Sequence, residues 1–140
     1  MSSEAITIQT DISLMNLDLI HDYLSNQSYW AKGRSKADVE KSMRNSLCFG
    51  AFTNENEQIG FARVATDYAV FGWIMDVFVL PEFQGQGIGK QLMEAIVQHP
   101  ALAKIHGLGL RTNDAHTLYQ KFGFAPIPDV NTWMFKKYTS

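Results

Sequence analysis

Cysteine is almost absent from this chain, since Cys48 is the one such residue among 140. A single thiol cannot close an internal disulfide, and its place beside Phe49 in an apolar segment favours a packed core thiol over a catalytic nucleophile. The four histidines, at positions 21, 99, 106 and 116, show no spacing typical of metal ligands. We therefore expect neither a disulfide framework nor a metal site.

Charged residues are also scarce, at 19% of the chain, and the formal net charge is -2. Lys and Arg are scattered, whereas nucleic-acid-binding proteins normally carry a clustered basic surface. Long hydrophobic runs are missing, and residues 1–4 lack the basic and apolar segments of a secretion signal. These absences predict a soluble, cytoplasmic protein that binds neither nucleic acid nor membrane.

Residues 1–140 are expected to form a single domain. The hydrophobic content of 46% is enough for one sizeable core, and no Pro-, Gly- or Ser-rich linker divides the chain. Apolar patterns alternate between strand-like and helical, as in an α/β domain. Strands are predicted at 6–10, 47–52, 58–66, 73–80, 105–111 and 133–138. Helical spacing is carried by Leu14 to Leu24, by Val39 and Met43 behind an N-cap at Ser35, by Ile88 to Val97, and by Ala115 to Phe122. The strand at 73–80 is apolar at nearly every position, which predicts cover on both faces.

Three glycines at alternate positions, Gly85, Gly87 and Gly89, separate that strand from the following helix. Backbone without Cβ atoms can close around a pyrophosphate, and the helix presents its positive end to the same charge. The spacing excludes a P-loop, because only three residues separate Gly85 from the Gly89-Lys90 pair, and it excludes the Gly-x-Gly-x-x-Gly dinucleotide fingerprint. The stretch predicts a phosphate-binding loop without naming its ligand.

The run Gln84-Gly85-Gln86-Gly87-Ile88-Gly89 resembles the Gln/Arg-x-x-Gly-x-Gly motif of the acetyl-CoA-dependent N-acetyltransferases, the GNAT superfamily. Residues 76–84 resemble the family's fourth strand and the bend into this loop. Residues 115–124, which contain Tyr119 and end in Gly123-Phe124, resemble its second signature. One departure is that Thr112 stands where the family often has Asn, and Asn113 comes one place later.

The resemblance implies a mixed, mostly antiparallel sheet flanked by helices, with two central strands splayed to admit pantetheine. The glycines at 107 and 109 in the second of those strands are consistent with a close backbone approach. Acetyl-CoA is then the co-substrate, and no metal is needed. The residues implied at the cofactor are Val77, Phe78, Val79, Gln84, Gly85, Gln86, Gly87, Ile88, Gly89, Lys90 and Asn113.

Acetyl transfer to an amine needs a neutral acceptor and a proton for the departing thiolate. Tyr119 matches the family's tyrosine that protonates the sulfur of coenzyme A, although it also completes the apolar face of its helix. Asp76 is the one carboxylate inside the strand at 73–80, where desolvation would raise its pKa and make it a base or an anchor for the acceptor. A structural, hydrogen-bonded Asp76 is the equal alternative.

Aromatic and basic residues in two predicted loops are the candidates for binding the acceptor: Tyr29, Trp30 and Arg34 in one, and Tyr68 and Phe71 in the other. Each could instead serve packing. The predicted function is transfer of acetyl from acetyl-CoA to a primary amine of a small molecule or protein in a ternary complex. A non-catalytic acyl-CoA-binding module is the alternative. A homodimer is left open, since some family members pair through terminal strands.

Overall fold

The computed structural model describes residues 5–138, which form one mixed sheet with helices on both of its faces. The strands are β1 (Thr7–Gln9), β2 (Leu47–Phe52), β3 (Gln58–Thr66), β4 (Phe71–Val79) and β5 (Gly107–Leu110). The helices are α1 (Leu17–Asp22), which continues as a π-helical turn (Tyr23–Gln27), α2 (Lys36–Arg44), α3 (Ile88–Gln98) and α4 (His116–Gln120). Within residues 5–138 no helix is both long and apolar enough to cross a bilayer.

The strands lie in the order β1-β2-β3-β4-β5. The first three pairings are antiparallel, and the last, between β4 and β5, is parallel. This mixed, mostly antiparallel sheet confirms the predicted fold class. The β4–β5 ladder ends at Ile74 and Leu110, while β4 continues to Val79. The last five residues of β4 therefore have no strand partner on that side in the described part of the chain.

The helix starts follow their capping residues. Ser35 Oγ accepts a hydrogen bond from the Asp38 amide at 3.1 Å, so the predicted cap of α2 is confirmed. Asn16 Oδ1 accepts from the Leu19 amide at 3.0 Å, which begins α1 at Leu17. Leu14 lies before this cap, in a separate 3-10 turn, and is exposed. The prediction that Leu14 belongs to the first helix was wrong, because that helix begins only after the Asn16 cap.

Two cores lie on opposite faces of the sheet. On one face α3 buries Ile88, Leu92, Met93 and Ile96 against β2, β3 and β4. On the other face α1 and α2 bury Ile20, Leu24, Val39 and Met43 against Cys48, Phe61 and Phe78. The helical pattern of α2 is thus confirmed, and so is that of α3 except at Val97, which is exposed. The α3 helix ends as expected at His99, just before Pro100.

A β-bulge interrupts β4 at Asp76. Phe61 pairs with Phe78 and Arg63 with Met75, so Asp76 and Val77 together oppose the single β3 residue between those pairs. Asp76 has a φ of 56°, a left-handed conformation that Asp tolerates better than most residues. The extra residue reverses the alternation: Ile74 packs in the core under α3, and Phe78 packs in the other core.

β4 is covered on both faces, as predicted, but the cover is incomplete. Buried and half-buried residues alternate along the strand, with Asp76 among the buried ones. Trp73, Met75, Val77 and Val79 are only half-buried. Continuous apolarity could not reveal which of these residues are only partly covered.

The predicted strand at 133–138 is wrong. The segment has no strand hydrogen bonding, and Met134 and Phe135 are 95% and 87% exposed. Only its first residue packs, with the Trp133 ring 6.0 Å from that of Trp73. An apolar, β-prone sequence becomes a strand only beside a partner strand, because its backbone groups need pairing.

We predict that Leu92→Ala lowers the free energy of unfolding by about 2–5 kcal/mol, since it opens a cavity under the sheet. Leu92 is fully buried in the core beneath α3. Val97→Ala on the same helix is the control, because Val97 is exposed and its truncation should cost about 0.5 kcal/mol or less. Urea titrations would measure both. Equal losses for the two variants would contradict the placement of this core.

Candidate active site

The glycine loop lies where β4 gives way to α3. Gly85 and Gly87 have φ values of 80° and 81°, which side chains with a Cβ rarely adopt. Gly87 is the N-cap of α3 and provides no side-chain hydrogen bond, so the first amides of the helix are not capped by it. A Cβ at Gly85, Gly87 or Gly89 would meet nothing within 4 Å. The backbone therefore borders open space at the positive end of an eleven-residue helix.

Side chains around the loop divide into anchors and exposed groups. Ile88 is buried in the core under α3, and Phe78 is buried on the other face, stacked on Tyr23 at 4.1 Å. These two residues can offer only main-chain atoms to a ligand. Gln86 and Lys90 are exposed at the loop. They remain available to a bound anion.

The open edge of β4 begins next to this loop. Leu80 donates its amide to Ile59 O on β3 at 2.9 Å, so the polar main-chain groups of Val79 face away from β3. Gln84 Nε2 donates to Val79 O at 2.9 Å, which shows that this carbonyl is accessible from the unpaired side. Val77 lies on the same edge, inside the bulge.

Tyr119 lies on α4 and packs against the core beneath α3. Its ring is 6.1 Å from that of Phe124, and Gly123, at a φ of 90°, ends the turn between them. Burial raises the pKa of Tyr119, with smaller contributions from Asp114 and Tyr29 nearby. The phenol therefore keeps its proton at neutral pH.

The turn before α4 is organised by Thr112, not by Asn113. Thr112 Oγ1 accepts from the Ala115 amide at 3.0 Å, whereas Asn113 is exposed. The family's Asn position is therefore occupied here by a residue with a structural role.

Asp76 is buried and its carboxylate is shared by three donors. Its Oδ2 accepts from Arg34 Nη1 at 2.7 Å and from Arg63 Nε at 3.0 Å, and its Oδ1 accepts from Trp30 Nε1 at 3.0 Å. We call these four residues the Asp76 cluster. Sequence reasoning named Asp76, Trp30 and Arg34 separately, and the structure joins them. Both carboxylate oxygens are occupied, which favours the architectural alternative for Asp76 over a free base.

Arg63 is the functional neighbour that sequence reasoning missed. It donates from Nη1 to Ser46 Oγ at 3.0 Å and approaches Met75 Sδ with Nη2, in addition to its bond to Asp76. A lone cation in the apolar stretch of β3 was the available signal, since charged residues are rarely buried without a partner.

The loop that carries Trp30 and Arg34 is held by hydrogen bonds. Ser28 Oγ donates to Leu24 O at 2.6 Å and accepts from the Ala31 amide at 3.1 Å. The Gly33 amide donates to Ser25 O, and His21 Nε2 donates to Arg34 O at 3.1 Å. The π-helical turn thus fixes the loop, and both side chains are presented in one orientation.

Tyr68 and Phe71 lie apart from the Asp76 cluster. Tyr68 is exposed in the β3–β4 turn with a φ of 62°, and Phe71 packs on Trp73 at 6.1 Å. Phe71 lies five positions before Asp76 in β4, or about 16 Å away at ~3.3 Å per residue. The two predicted acceptor loops are therefore at opposite ends of β4. Tyr29, by contrast, packs edge-on against Trp30 at 5.1 Å and borders the cluster.

Cys48 lies beneath the cluster and is inert. It is buried, and this burial raises the pKa of its thiol to about 12. Across the part of the chain that the structure describes, no group of three or more His, Cys, Asp or Glu residues is placed to hold a metal ion. The chemistry available here is that of main-chain amides, a protonated phenol and two guanidinium groups.

Comparison with known proteins identifies the family to which the chain belongs. Residues 44–126 match the model of the acetyltransferase (GNAT) domain. A Xanthomonas campestris protein assigned to the GNAT family has a crystal structure that aligns with a TM-score of 0.93 and 41% identity over 97% of this chain and 95% of its own. The uncharacterized N-acetyltransferase ycf52 of Porphyra purpurea is 30% identical over 89% of this chain and 76% of its own.

A more distant structure shares the fold alone. The complex of aminoglycoside N-acetyltransferase AAC(6')-Iy with CoA aligns with a TM-score of 0.64 at 21% identity, over 99% of this chain and 98% of that one. The segment that matches the acetyltransferase domain model runs from the end of α2 past α4, so it contains both the glycine loop and Tyr119. The chain therefore belongs to the GNAT family of acetyltransferases.

Proposed function

We propose that this acetyltransferase moves the acetyl group of acetyl-CoA to a primary amine, directly and in a ternary complex, with residues 1–140 acting as one domain. The acceptor is a small molecule or a protein amine. The observation that carries the proposal is the open glycine loop at the start of α3, continuous with the unpaired edge of β4. A relative of the same fold is solved with CoA, which supports the choice of cofactor.

The loop fits a pyrophosphate. Gly85, Gly87 and Gly89 border open space, α3 adds its positive end, and Lys90 adds a charge in a chain whose net charge is -2. Val77 and Val79 would pair with pantetheine through main-chain atoms, as an added strand would. Gln84 would release Val79 O or bridge to the ligand, and Asn113 is exposed beside α4 for a peripheral contact.

Bound acetyl-CoA supplies an activated thioester carbonyl. In this proposal Tyr119 gives its Oη proton to the departing sulfur. The raised pKa of this phenol keeps the proton in place through the neutral range. The contact with Phe124 holds the ring that carries this hydroxyl.

Asp76 holds the acceptor side of the site together in this proposal and is not the base. Its oxygens are occupied by Trp30, Arg34 and Arg63. The cluster carries two positive charges against one negative charge, which favours an acceptor amine in its neutral form. The amine proton is then released to water.

We predict that Gly89→Glu raises the acetyl-CoA dissociation constant at least about 30-fold, or ~2 kcal/mol. The new carboxylate would occupy the open space that the pyrophosphate needs and would repel its charge. The fold should persist, because an acidic side chain in the first turn of a helix is favourable. Calorimetric titration with acetyl-CoA measures the effect.

Gln98→Glu provides the control for that variant. It adds the same charge at the exposed far end of α3, about 14 Å away at ~1.5 Å per residue. Its affinity for acetyl-CoA should equal that of the wild type. An unchanged affinity in folded Gly89→Glu would remove the loop from the cofactor site.

We predict that Tyr119→Phe lowers kcat about 10²- to 10⁴-fold and leaves the acetyl-CoA dissociation constant nearly unchanged. The ring that packs on Phe124 is kept, and only the proton donor is lost. Because burial raises the pKa of Tyr119, the wild-type rate should fall only above pH 10.0, and this alkaline limb should vanish in the variant. Thiol release in single turnovers over a range of pH measures both effects.

Tyr23→Phe is the matched control, since it removes a hydroxyl from another half-buried ring, stacked on Phe78. Its rate should stay close to that of the wild type. Wild-type turnover by Tyr119→Phe would assign this tyrosine to packing alone. Tight binding of acetyl-CoA without thiol release on any amine of a broad panel would favour the non-catalytic module.

We also propose that the chain forms a homodimer through its C-terminal segment. Apolar side chains are exposed along it at Val130, Trp133, Met134, Phe135 and Tyr138. β5 is the edge of the sheet, and a depression of about 310 Å³ lies beside it, lined by Val97, Leu108, Phe122, Gly123, Phe124 and Ala125. In a dimer, the β-prone C-terminal segment of one copy pairs with the open β5 edge of the other.

We predict that the chain sediments at twice its mass of 15.8 kDa and that Phe135→Glu converts it to the single-chain mass. Val70→Glu, at an exposed apolar residue in the β3–β4 turn, should leave the dimer intact. Analytical ultracentrifugation at micromolar concentration measures the mass. A single-chain mass for the wild type would refute the dimer.

A further inference from the structure

The two arginines of the Asp76 cluster differ in how their donors are used. Arg63 is buried and is bonded through Nε, Nη1 and Nη2 to Asp76, Ser46 and Met75. Arg34 uses a single donor, Nη1, for the one side-chain hydrogen bond it makes within residues 5–138, and its side chain is 23% exposed. A guanidinium carries five N–H donors in a fixed fork, so four of those on Arg34 make no hydrogen bond within the described residues.

The cluster also has an unbalanced charge. Two guanidinium groups share the single carboxylate of Asp76, and the salt bridges within residues 5–138 bring no other acid to them. One positive charge is left over at a half-buried position, where water screens it less than at the surface. A monoanion placed against Arg34 would neutralise it.

Arg34 is held in place before any ligand arrives. Its amide donates to Ala31 O at 3.0 Å, and its carbonyl accepts from His21 Nε2. The neighbouring rings of Tyr29 and Trp30 are both exposed. A fixed cation beside exposed aromatic faces is a recognition site for a small molecule with one acid and one apolar group.

The position of Arg34 connects it to the reaction. Asp76, which it contacts, directly precedes Val77 at the unpaired edge of β4. Arg34 thus contacts the residue next to the strand edge that is proposed to hold the cofactor.

We infer that the acceptor is an amine that also carries a carboxylate, of the amino-acid class, and that Arg34 binds this carboxylate. The inference rests on the proposed function. Transfer forms an amide bond to the acceptor nitrogen, breaks the thioester bond, and returns the sulfur as a thiol with the proton from Tyr119, while the amine proton leaves to water and water returns a proton to Tyr119. The carboxylate is unchanged, so Arg34 is a specificity residue and takes no part in proton transfer.

The test compares L-phenylalanine with L-phenylalaninamide as acceptors in thiol-release assays. For each protein we take the ratio of kcat/KM with the acid to kcat/KM with the amide. Because the two amines differ in basicity, this ratio in the wild type is then divided by the same ratio in Arg34→Gln, which cancels that difference. We expect this quotient to be at least tenfold, with the larger loss in Arg34→Gln falling on the acid and carried by KM. Arg34→Lys, which keeps the charge without the fork, should fall between the two.

Arg44→Gln is the matched control, because Arg44 is an exposed arginine in the last turn of α2 and its removal should leave the acid-to-amide ratio unchanged. Arg34→Gln should remain folded, since Asp76 keeps Arg63 and Trp30. A third arm uses 2-aminoethyl phosphate against ethanolamine. A larger Arg34-dependent preference there would replace the carboxylate by a phosphate and overturn the inference.

Failure of the inference and failure of the proposed function give different results. Turnover with equal losses for the acid and the amide in Arg34→Gln would overturn the inference and leave the acetyltransferase reaction standing. No thiol release with any amine, despite acetyl-CoA binding, would overturn both.

Discussion

The arrangement of this site depends on the buried carboxylate of Asp76. It is the point where β3, β4 and the loop after the π-helical turn are joined, through Arg63, the bulge, and Trp30 with Arg34. Isolated charges are costly to bury, and here each has a partner at hydrogen-bonding distance. Without the carboxylate, two guanidinium groups would face one another in the same confined space. The left-handed backbone at Asp76 and the open edge that follows it are stabilised by this network.

The parts of the structure that local sequence determines were predictable. Positive φ at Gly85 and Gly87, the Ser35 cap and the inner face of α3 each follow from residues within one or two turns. The glycine loop could therefore be recognised, and the family with it. The Asp76 cluster could not, because Trp30 and Arg34 lie 46 and 42 positions before their shared acceptor. An extra residue in a strand also has no sequence signature when the residue is not glycine.

The C-terminal segment shows a second limit of the same kind. Its apolar, β-prone composition predicted a strand, but the structure has no strand there. A strand forms only when its backbone hydrogen-bonds to a second segment, and within residues 5–138 no segment pairs with 133–138. The exposed Met134 and Phe135 are the consequence. Phe71 and Trp30 are both aromatic residues of predicted loops, but the length of β4 keeps them apart in the structure.

The burial of Cys48 has a practical consequence for a protein proposed to bind a thioester. A thiol beside an activated acyl group ordinarily exchanges with it through the thiolate, which would acylate the protein. Burial raises the pKa of Cys48 to about 12, so the chain's one thiol stays protonated and enclosed. The same property makes the natural chain a blank background for site-specific labelling. A cysteine introduced on its surface would be the only group to react with a maleimide dye, and the loop at 28–34 could be followed by fluorescence with no native residue replaced elsewhere.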